Sequence, residues 1–297
     1  MQVSDDVRKC VVFVGYRMAD GTYRFAGSAF FLGKDESKED PRRVETVYLV
    51  TAKHVIDGIR AKGLEKVMIR YNAEDGSSQW AESQTTEWFS HPTDRSIDVA
   101  VVRAGVSPGW DHLVVPYSIA MTPERMKEQN IGCGDEVFVT GLFRHHHGGD
   151  RNVPIVRVGN LSCATEEKVN TRHFGDMAAY LIEARSIGGL SGSPAFVHMG
   201  LTRLVDNQIR FAQRHPTVLF LGLVHGHYDT DSSRIDGANP DDADALTVER
   251  VNTGIAIVVP FRRIAETIDA CEAAKAEAVT GAGGLAAAAK PHGMLPG

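Results

Sequence analysis

The stretch S-I-G-G-L-S-G-S-P-A-F, residues 186–196, allows two interpretations, and the fold of this chain depends on which one is right. Glycines and serines crowd around Ser191, and a strand-like apolar run follows directly after Pro194. Such residues most often form a plain turn between two strands. Glycines also let a backbone bend so that its N–H groups face a reacting oxygen, which is a chemical use of the same residues. The rest of the sequence has to distinguish these two uses.

Short runs of β-branched and apolar residues recur along the chain, with turn residues between them. They include C-V-V-F-V-G-Y (10–16), T-V-Y-L-V-T-A (46–52), D-V-A-V-V-R-A (98–104), E-V-F-V-T-G-L (136–142) and V-L-F-L-G-L-V (218–224). This cadence predicts an all-β sandwich or barrel. Because these runs cluster before residue 104 and after residue 135, residues 105–134 are predicted to bridge two β halves.

One long helix is predicted over residues 261–275, directly after Pro260. Proline is favoured at the start of a helix, and Phe261, Ile264 and Ile268 fall on one helical face. Residues 276–297 are rich in alanine and glycine and poor in large apolar side chains. We therefore expect a disordered tail there.

Composition and charge exclude several classes of function. The 297 residues are 43% hydrophobic and 24% charged, with a net charge of −6. This balance provides no general basic field for nucleic acid or an anionic membrane, so neither is an expected partner. No apolar run approaches the length of a membrane span, and the first residues lack the pattern of a secretory signal. The chain is therefore expected to be cytoplasmic, and its oligomeric state is open.

Neither a metal site nor a cofactor is expected. The four cysteines stand singly, without a C-x-x-C pair, which indicates reduced thiols rather than a zinc knuckle. The histidine-rich segments H-H-H (145–147) and H-G-H (225–227) lack the H-E-x-x-H motif. Since zinc requires three or four well-placed ligands, these histidines are interpreted as ordinary loop and strand residues.

Two further segments make the serine stretch distinctive. T-A-K-H-V-I (51–56) places His54 just past an apolar strand, and S-I-D-V-A-V-V (96–102) places Asp98 at the start of another. Alone, such a histidine is most often a surface or core residue, and such an aspartate a turn former. A histidine, an aspartate and a serine in this order can instead form a nucleophilic triad.

The three segments resemble those of trypsin-like serine proteases, particularly the HtrA/Deg branch and the glutamyl endopeptidases. The family motifs T-A-x-H-V, D-[IVL]-A-[VL] and G-x-S-G-[GS]-P are matched by T-A-K-H-V, D-V-A-V and G-L-S-G-S-P. Supporting segments fall in family order, and the resemblance covers roughly residues 8–270. They are G-S-A-F-F-L (27–32), V-F-V-T-G-L (137–142), L-G-L-V-H-G (221–226) and G-I-A-I-V-V-P-F-R-R-I (254–264).

The resemblance implies a fold of two six-stranded antiparallel β-barrels with a C-terminal helix. The peptidase domain would span residues 8–275, with an N-terminal barrel over about 8–115 and a C-terminal barrel over about 130–260. The residues after the predicted helix are too few for the PDZ domain common in HtrA proteins, so none is expected.

The resemblance also implies a function, that of a serine endopeptidase acting on a protein or peptide substrate through an acyl-enzyme intermediate. Ser191 would be the nucleophile, His54 the general base and then acid, and Asp98 the carboxylate that orients the histidine. The N–H groups of Gly189 and Ser191 would form the oxyanion hole.

Departures from the family pattern leave an alternative open. Leu190 stands where the digestive enzymes carry an aspartate, so activation by insertion of a new N-terminus is not expected. The alternative is a protease-fold binding or scaffold protein that is catalytically weak or inactive. An α/β-hydrolase is excluded because its G-x-S-x-G elbow needs a glycine where Ser193 stands, and its acid and histidine follow the serine.

The resemblance suggests a substrate preference as well. Arg185, six residues before the nucleophile, corresponds to the base of the primary specificity pocket. His225, Gly226 and His227 lie on the strand that corresponds to its side. A guanidinium or imidazole in this pocket would favour cleavage after Glu or Asp. In the competing arrangement, typical of HtrA proteins, Arg185 points outward and the pocket is apolar.

Overall fold

The architecture described here is that of a computed structural model of the chain. The described residues are 2–36, 44–107, 109–164, 168–171, 174–184, 189–200, 202–205, 208–211, 217–231 and 250–286. Within them the structure is mostly β, as the cadence of apolar runs predicts. No helix among these residues is both long and apolar enough to cross a membrane.

Eight strands in the N-terminal half form one sheet. They are β1 (Val11–Arg17), β2 (Tyr23–Glu36), β3 (Val44–Thr51), β4 (Lys66–Asn72), β5 (Ser78–Gln84), β6 (Phe89–Ser90), β7 (Ala100–Arg103) and β8 (Val115–Pro116). Seven lie in the order β5-β4-β1-β2-β3-β7-β6, and β8 pairs with β2. The first five of the seven residues of β1 are buried.

This sheet differs from the N-terminal barrel expected from the sequence. Among the described residues β5 pairs only with β4, and β6 only with β7, so the strand pairings do not close. The 3₁₀ turn Thr85–Glu87 separates β5 from β6, and β6 is only two residues long, so little backbone is available to pair across the gap. The β2–β8 pair is parallel, whereas an antiparallel barrel was expected.

The C-terminal half contains the six-stranded closed barrel that was expected there. Its strands lie in the order β10-β13-β18-β17-β14-β9, and two hairpins, β11–β12 and β15–β16, are attached to it. The ten strands of this half are β9 (Glu136–Gly141), β10 (Ile155–Cys163), β11 (Lys168–Thr171), β12 (Gly175–Ala178), β13 (Tyr180–Glu183), β14 (Pro194–His198), β15 (Thr202–Val205), β16 (Gln208–Phe211), β17 (Val218–Asp231) and β18 (Arg250–Pro260).

Four helices complete the described structure: α1 (Asp5–Arg8), α2 (Lys53–Arg60), α3 (Pro123–Glu128) and α4 (Phe261–Ala286). The last one begins where the sequence predicts, but it ends at Ala286 rather than at residue 275. Alanine is the best helix former, and the alanine-rich sequence beyond residue 275 extends the helix into the segment predicted to be disordered. Residues 287–297 of that segment lie outside the described residues.

The C-terminal helix joins the two halves of the molecule. Ile264 and Ile268 of α4 are fully buried in the apolar cluster that includes the N-terminal sheet. On the sheet, the Lys34 ammonium and the Tyr48 hydroxyl both donate to the Glu272 carboxylate, at 2.6 and 2.8 Å. Phe30 of the sheet also packs edge-on against Phe220 of the barrel, with ring centroids 5.2 Å apart. The halves therefore share one apolar cluster, and a second cluster lies within the C-terminal half.

Candidate active site

Strand pairing brings His54 and Asp98 together. Strand β3 ends at Thr51, and His54 is the second residue of α2, which begins at Lys53. Thr51 pairs with Ala100, the first residue of the antiparallel strand β7. The residues just before Ala100 therefore lie beside the residues just after Thr51, so Asp98 reaches the first turn of α2.

The contact between Asp98 and His54 has two points of attachment. Oδ2 of Asp98 lies 2.7 Å from Nδ1 of His54, and Oδ1 accepts the backbone N–H of His54 at 2.9 Å. The aspartate side chain is completely buried, whereas the histidine side chain is 35% exposed. A carboxylate in this position fixes the Nδ1–H tautomer and the orientation of the imidazole, and it leaves Nε2 free to accept a proton.

The two groups shift each other's protonation. Burial by itself would raise the pKa of Asp98, but the positive charge of protonated His54 and hydrogen bonds from two imidazoles hold it well below its usual range. Burial would lower the pKa of His54, but the Asp98 charge and its hydrogen bond outweigh this effect and raise the pKa above its ordinary value of 6.5. Asp98 is therefore an anion at neutral pH, and His54 is a stronger base than a free histidine.

The loop that carries Ser191 is clamped between a strand of each half. The Ser191 carbonyl accepts the N–H of Ser28 on β2 at 2.9 Å, and the Gly192 N–H donates to the carbonyl of Val224 on β17 at 2.8 Å. Gly192 adopts φ +85°, and a Cβ there would lie 2.1 Å from the Ser28 carbonyl oxygen. Only glycine readily adopts this positive φ and also lacks the Cβ for which there is no room, so the fold requires a glycine at position 192.

The same loop lies against the segment that leads into α2. A Cβ on Gly192 would lie 2.4 Å from Oγ1 of Thr51 and 3.2 Å from the backbone nitrogen of Ala52. Ser191, next in sequence, is therefore held close to the helix turn that presents His54. Among the described residues the backbone N–H groups of Gly189 and Ser191 donate to no acceptor.

Leu190 serves as an apolar anchor for this loop. Its side chain is 2% exposed and belongs to the cluster that fills the C-terminal barrel. Its carbonyl accepts the N–H of Ser193 at 2.9 Å, which closes a tight turn around the serine. Burial of this apolar side chain thus anchors the loop to the C-terminal barrel.

Ser28 is a site residue that the sequence did not single out. It is fully buried, and its hydroxyl donates to the Gly189 carbonyl at 2.9 Å while accepting the N–H of Leu142 at 2.8 Å. Its own carbonyl accepts the hydroxyl of Thr51 at 2.7 Å. The one signal in the sequence was a polar residue inside the otherwise apolar strand A-G-S-A-F-F-L (26–32), since a buried hydroxyl requires partners.

We expect Ser28→Ala to destabilise the protein by about 1–3 kcal/mol per orphaned group, because the Gly189 carbonyl and the Leu142 N–H would each lose a buried partner. Ser193→Ala is the matched control, because the Ser193 hydroxyl is equally buried and finds no hydrogen-bond partner among the described residues. Urea unfolding of both variants measures the difference. Equal midpoints for the two variants would contradict the role assigned to Ser28.

The remaining residues considered for substrate binding fall in different places. Arg185 lies outside the described residues. His225 is 9% exposed, and its Nδ1 lies 2.5 Å from Oδ2 of Asp98. Its partner in the structure is therefore a carboxylate of the protein itself, whereas the sequence suggested an acidic residue of the substrate. Gly226 and His227 are half-buried, and a Cβ on Gly226 would meet open space.

His54, Asp98 and His225 are also residue types that bind metal ions, and their ligand atoms lie within 4.8 Å of one another. The histidines of the 145–147 segment are not part of this group. His147 packs against the ring of Phe25 with centroids 4.6 Å apart, and Arg70 donates to the carbonyl of the adjacent Gly148 at 3.1 Å. The histidine-rich loop is thereby attached to the N-terminal sheet.

Comparison with known proteins finds likeness in structure only. No model of a protein family matches the sequence, and no curated protein does. Solved structures with a similar fold include Deg5, at 13% identity and a TM-score of 0.46, with 89% of each chain covered. An inactive mutant form of Rv3671c from M. tuberculosis H37Rv has 15% identity and a TM-score of 0.42, covering 88% of this chain and 87% of that one.

A third similar structure is the HtrA-type protease AlgW with a decapeptide. It has 13% identity and a TM-score of 0.44, and the match covers 86% of this chain and 62% of that chain. Deg5 and AlgW carry names from the HtrA/Deg group, the group that the sequence motifs resemble. At such identities and scores, the chemistry of this chain has to be inferred from its own side chains.

Proposed function

We propose that this protein is a serine endopeptidase in which Ser191, His54 and Asp98 act as nucleophile, general base and orienting carboxylate. The observation that carries the proposal is the doubly attached Asp98–His54 pair. A completely buried carboxylate is costly unless it is paired, and here it is paired with an imidazole whose other nitrogen is free to accept a proton. Such an imidazole is a general base, and the loop that carries Ser191 packs against the segment leading into α2.

The reaction would proceed in two halves. Ser191 Oγ attacks the scissile carbonyl carbon while Nε2 of His54 takes the hydroxyl proton, and the resulting imidazolium is stabilised by Asp98. The carbonyl oxygen becomes an oxyanion, which the N–H groups of Gly189 and Ser191 stabilise. His54 then gives its proton to the amine nitrogen as the C–N bond breaks, which leaves an acyl-enzyme. Water, deprotonated by His54, then attacks this ester, and His54 returns the proton to Ser191 Oγ as the acyl C–O bond breaks.

The peptidase domain on this proposal is residues 8–275, and its substrate is a protein or peptide. The open N-terminal sheet takes the place of the first barrel and supplies His54 and Asp98, whereas the closed barrel supplies Ser191. The site therefore forms where the two halves meet, a common location for binding sites.

Labelling with a fluorophosphonate tests the proposal directly, because only an activated serine reacts with this reagent. We expect labelling of a single residue, Ser191, identified by mass spectrometry of the digested protein. Unfolded protein is the control, since it retains every serine but no assembled site. An unlabelled folded protein that also hydrolyses no peptide or ester would contradict the proposal.

A protease-fold binding protein with little turnover is a second candidate, and one observation favours it. Ser191 Oγ and the His54 imidazole form no hydrogen bond in the structure, although both residues are described. Nucleophile–base hydrogen bonds are often loose in proteins without a bound substrate. Tight binding of a peptide by a chain that fails to react with fluorophosphonate would favour this second candidate.

The proposal predicts a rate that falls in acid. The raised pKa of His54 means that kcat/KM should be half lost at a pH above 6.5, because the base must be neutral to accept the serine proton.

Besides burial and Asp98, the Asp57 carboxylate raises the pKa of His54 and the Lys53 ammonium lowers it. We therefore expect Asp57→Asn to move the acid limb to lower pH. Profiles of kcat/KM over about pH 5–9 for the wild type and for Asp57→Asn measure the midpoint and its shift. A wild-type midpoint below pH 6.5 would contradict the raised pKa of His54.

A further inference from the structure

The buried carboxylate of Asp98 is shared between two imidazoles. Its Oδ2 lies 2.7 Å from Nδ1 of His54 and 2.5 Å from Nδ1 of His225. The planes of the two imidazole rings are inclined at 77° to each other, and the ring centroids are 5.3 Å apart. With Oδ1 accepting the backbone N–H of His54, both oxygens of Asp98 are engaged. The triad mechanism uses only one of these imidazoles, so His225 is a buried titratable group without an assigned role.

The backbone of β17 is shaped to present His225 to Asp98. Val224 pairs with Val258 of β18 and Gly226 pairs with Ile257, so His225 occupies a bulge with no partner of its own in that ladder. A bulge re-aims the side chain of the extra residue, and here it is aimed toward the triad carboxylate.

The loop that carries Ser191 holds this bulge in place. The carbonyl of Val224 accepts the N–H of Gly192, and the N–H of Val224 donates to the carbonyl of Ser193, both at 2.8 Å. The bulge is therefore bonded to the residues that directly follow the nucleophile. His225 connects the serine loop to the carboxylate from one side, as His54 does from the other.

We propose that His225 is a positioning residue for the proposed peptidase reaction: its Nδ1–H donates to Oδ2 of Asp98 and fixes the carboxylate in the orientation that His54 requires. This inference rests on the proposed function. A carboxylate held only by His54 could rotate about its Cβ–Cγ bond, whereas a second donor from a different strand restricts that rotation. His225 acts on the serine only through Asp98 and His54, and it does not contact the reacting bond.

The distances favour hydrogen bonds over a metal ion in this cluster. Zinc sits about 2.0–2.2 Å from each imidazole nitrogen or carboxylate oxygen, so tetrahedral ligand atoms are separated by about 3.3 Å. The Oδ2–Nδ1 separations of 2.7 and 2.5 Å are those of direct, charge-assisted hydrogen bonds. A metal ion would have to push these groups apart within a buried site.

The Asp98 carboxylate is shielded from water, since its side chain is completely buried. The ring of Phe174 stands edge-on to His225, with centroids 5.3 Å apart, and lies 6.4 Å from His54. The Lys53 ammonium lies over the same ring at 5.8 Å, so a cation among the described residues faces this side of the cluster. In such a dry setting a lost donor to Asp98 cannot simply be replaced by solvent.

The test compares His225→Leu, which removes the donor, with His225→Asn, whose side-chain amide places a donor near the position of Nδ1. We expect His225→Leu to lower kcat by about 10–100-fold with little change in KM, the size seen when a supporting partner of a functional ligand is removed. His225→Asn should recover most of that loss. His198→Leu is the matched control, because His198 pairs with the Glu136 carboxylate at 2.9 Å elsewhere on the barrel.

A spectroscopic measurement separates this inference from the proposed function. In the Ser191→Ala background, the hydrogen-bonded Nδ1 proton and the titration of His54 are followed by NMR of the folded full-length protein. We expect His225→Leu to broaden or shift that proton resonance and to change the pKa of His54, and His225→Asn to restore both. These signals report the Asp98–His54 geometry even if the protein hydrolyses nothing.

Three outcomes would overturn the inference. Unchanged kcat and an unchanged His54 resonance in His225→Leu would show that the second donor has no positioning effect. A KM increase confined to substrates with Glu or Asp before the scissile bond would make His225 a specificity residue. Loss of the Nδ1 proton when one equivalent of zinc is added would assign the cluster to a metal. If His225→Leu does not fold, loss of the resonance in a folded His225→Asn protein would also overturn it.

Discussion

Replacing Ser191 with alanine is expected to abolish fluorophosphonate labelling and to lower kcat by about a millionfold, the size of effect seen when a nucleophile is removed from a serine triad. The loss is large because His54 and Asp98 act on the substrate only through the serine oxygen. Slow hydrolysis by water bound near the two backbone donors would account for any residual rate.

The Ser191 substitution should leave the fold intact. Ser191 is only half-buried, and its backbone carbonyl, which accepts the Ser28 N–H, is unaffected by the change. Thermal unfolding should therefore match that of the wild type. Ser193→Ala is the control for reactivity, because this neighbouring serine is fully buried and should not be the labelled residue. Labelling that persists in Ser191→Ala would show that another serine is the nucleophile.

Replacing Asp98 with asparagine is expected to lower kcat by about 10⁴-fold, because a neutral amide cannot stabilise the imidazolium and favours the wrong tautomer of His54. The change keeps the shape of the side chain, so the loss is electrostatic rather than a packing defect. It also removes the charge that raises the pKa of His54, so whatever activity is left should persist to lower pH. Steady-state kinetics and a pH profile of the residual rate measure both effects.

Asp94→Asn is the matched control for Asp98→Asn. Asp94 lies in the same segment, but its Oδ1 accepts the N–H and the hydroxyl of Ser96, at 2.9 and 2.6 Å, and these bonds lower its pKa. It is a turn residue, so its substitution should cost about 1 kcal/mol of stability and leave kcat nearly unchanged. Equal losses of kcat from the two substitutions would contradict the choice of Asp98.

Several features could be predicted from the sequence because they depend on local patterns. Apolar runs separated by turns predicted a mostly β chain, and Pro260 followed by a periodic apolar face predicted the start of α4. The candidate triad was found differently: taken alone, each of its residues has a more common structural role, and the assignment rests on the resemblance of three short motifs, in order, to those of trypsin-like serine proteases. The structure places His54 three residues after the end of β3 and Asp98 two residues before the start of β7, and it pairs them. The catalytic role of Ser191 stays a prediction.

Other features depend on partners that are distant in the sequence, and only the tertiary structure decided them. The Ser28 hydroxyl bonds to a carbonyl 161 residues away, and His225 bonds to a carboxylate 127 residues away. Whether the N-terminal strands close into a barrel was likewise decided by pairing between strand edges. Periodicity in a sequence reports which face of an element is apolar. A hydrogen bond between two strands also depends on their register and on a bulge such as that at His225, which the folded chain sets through all of its contacts together.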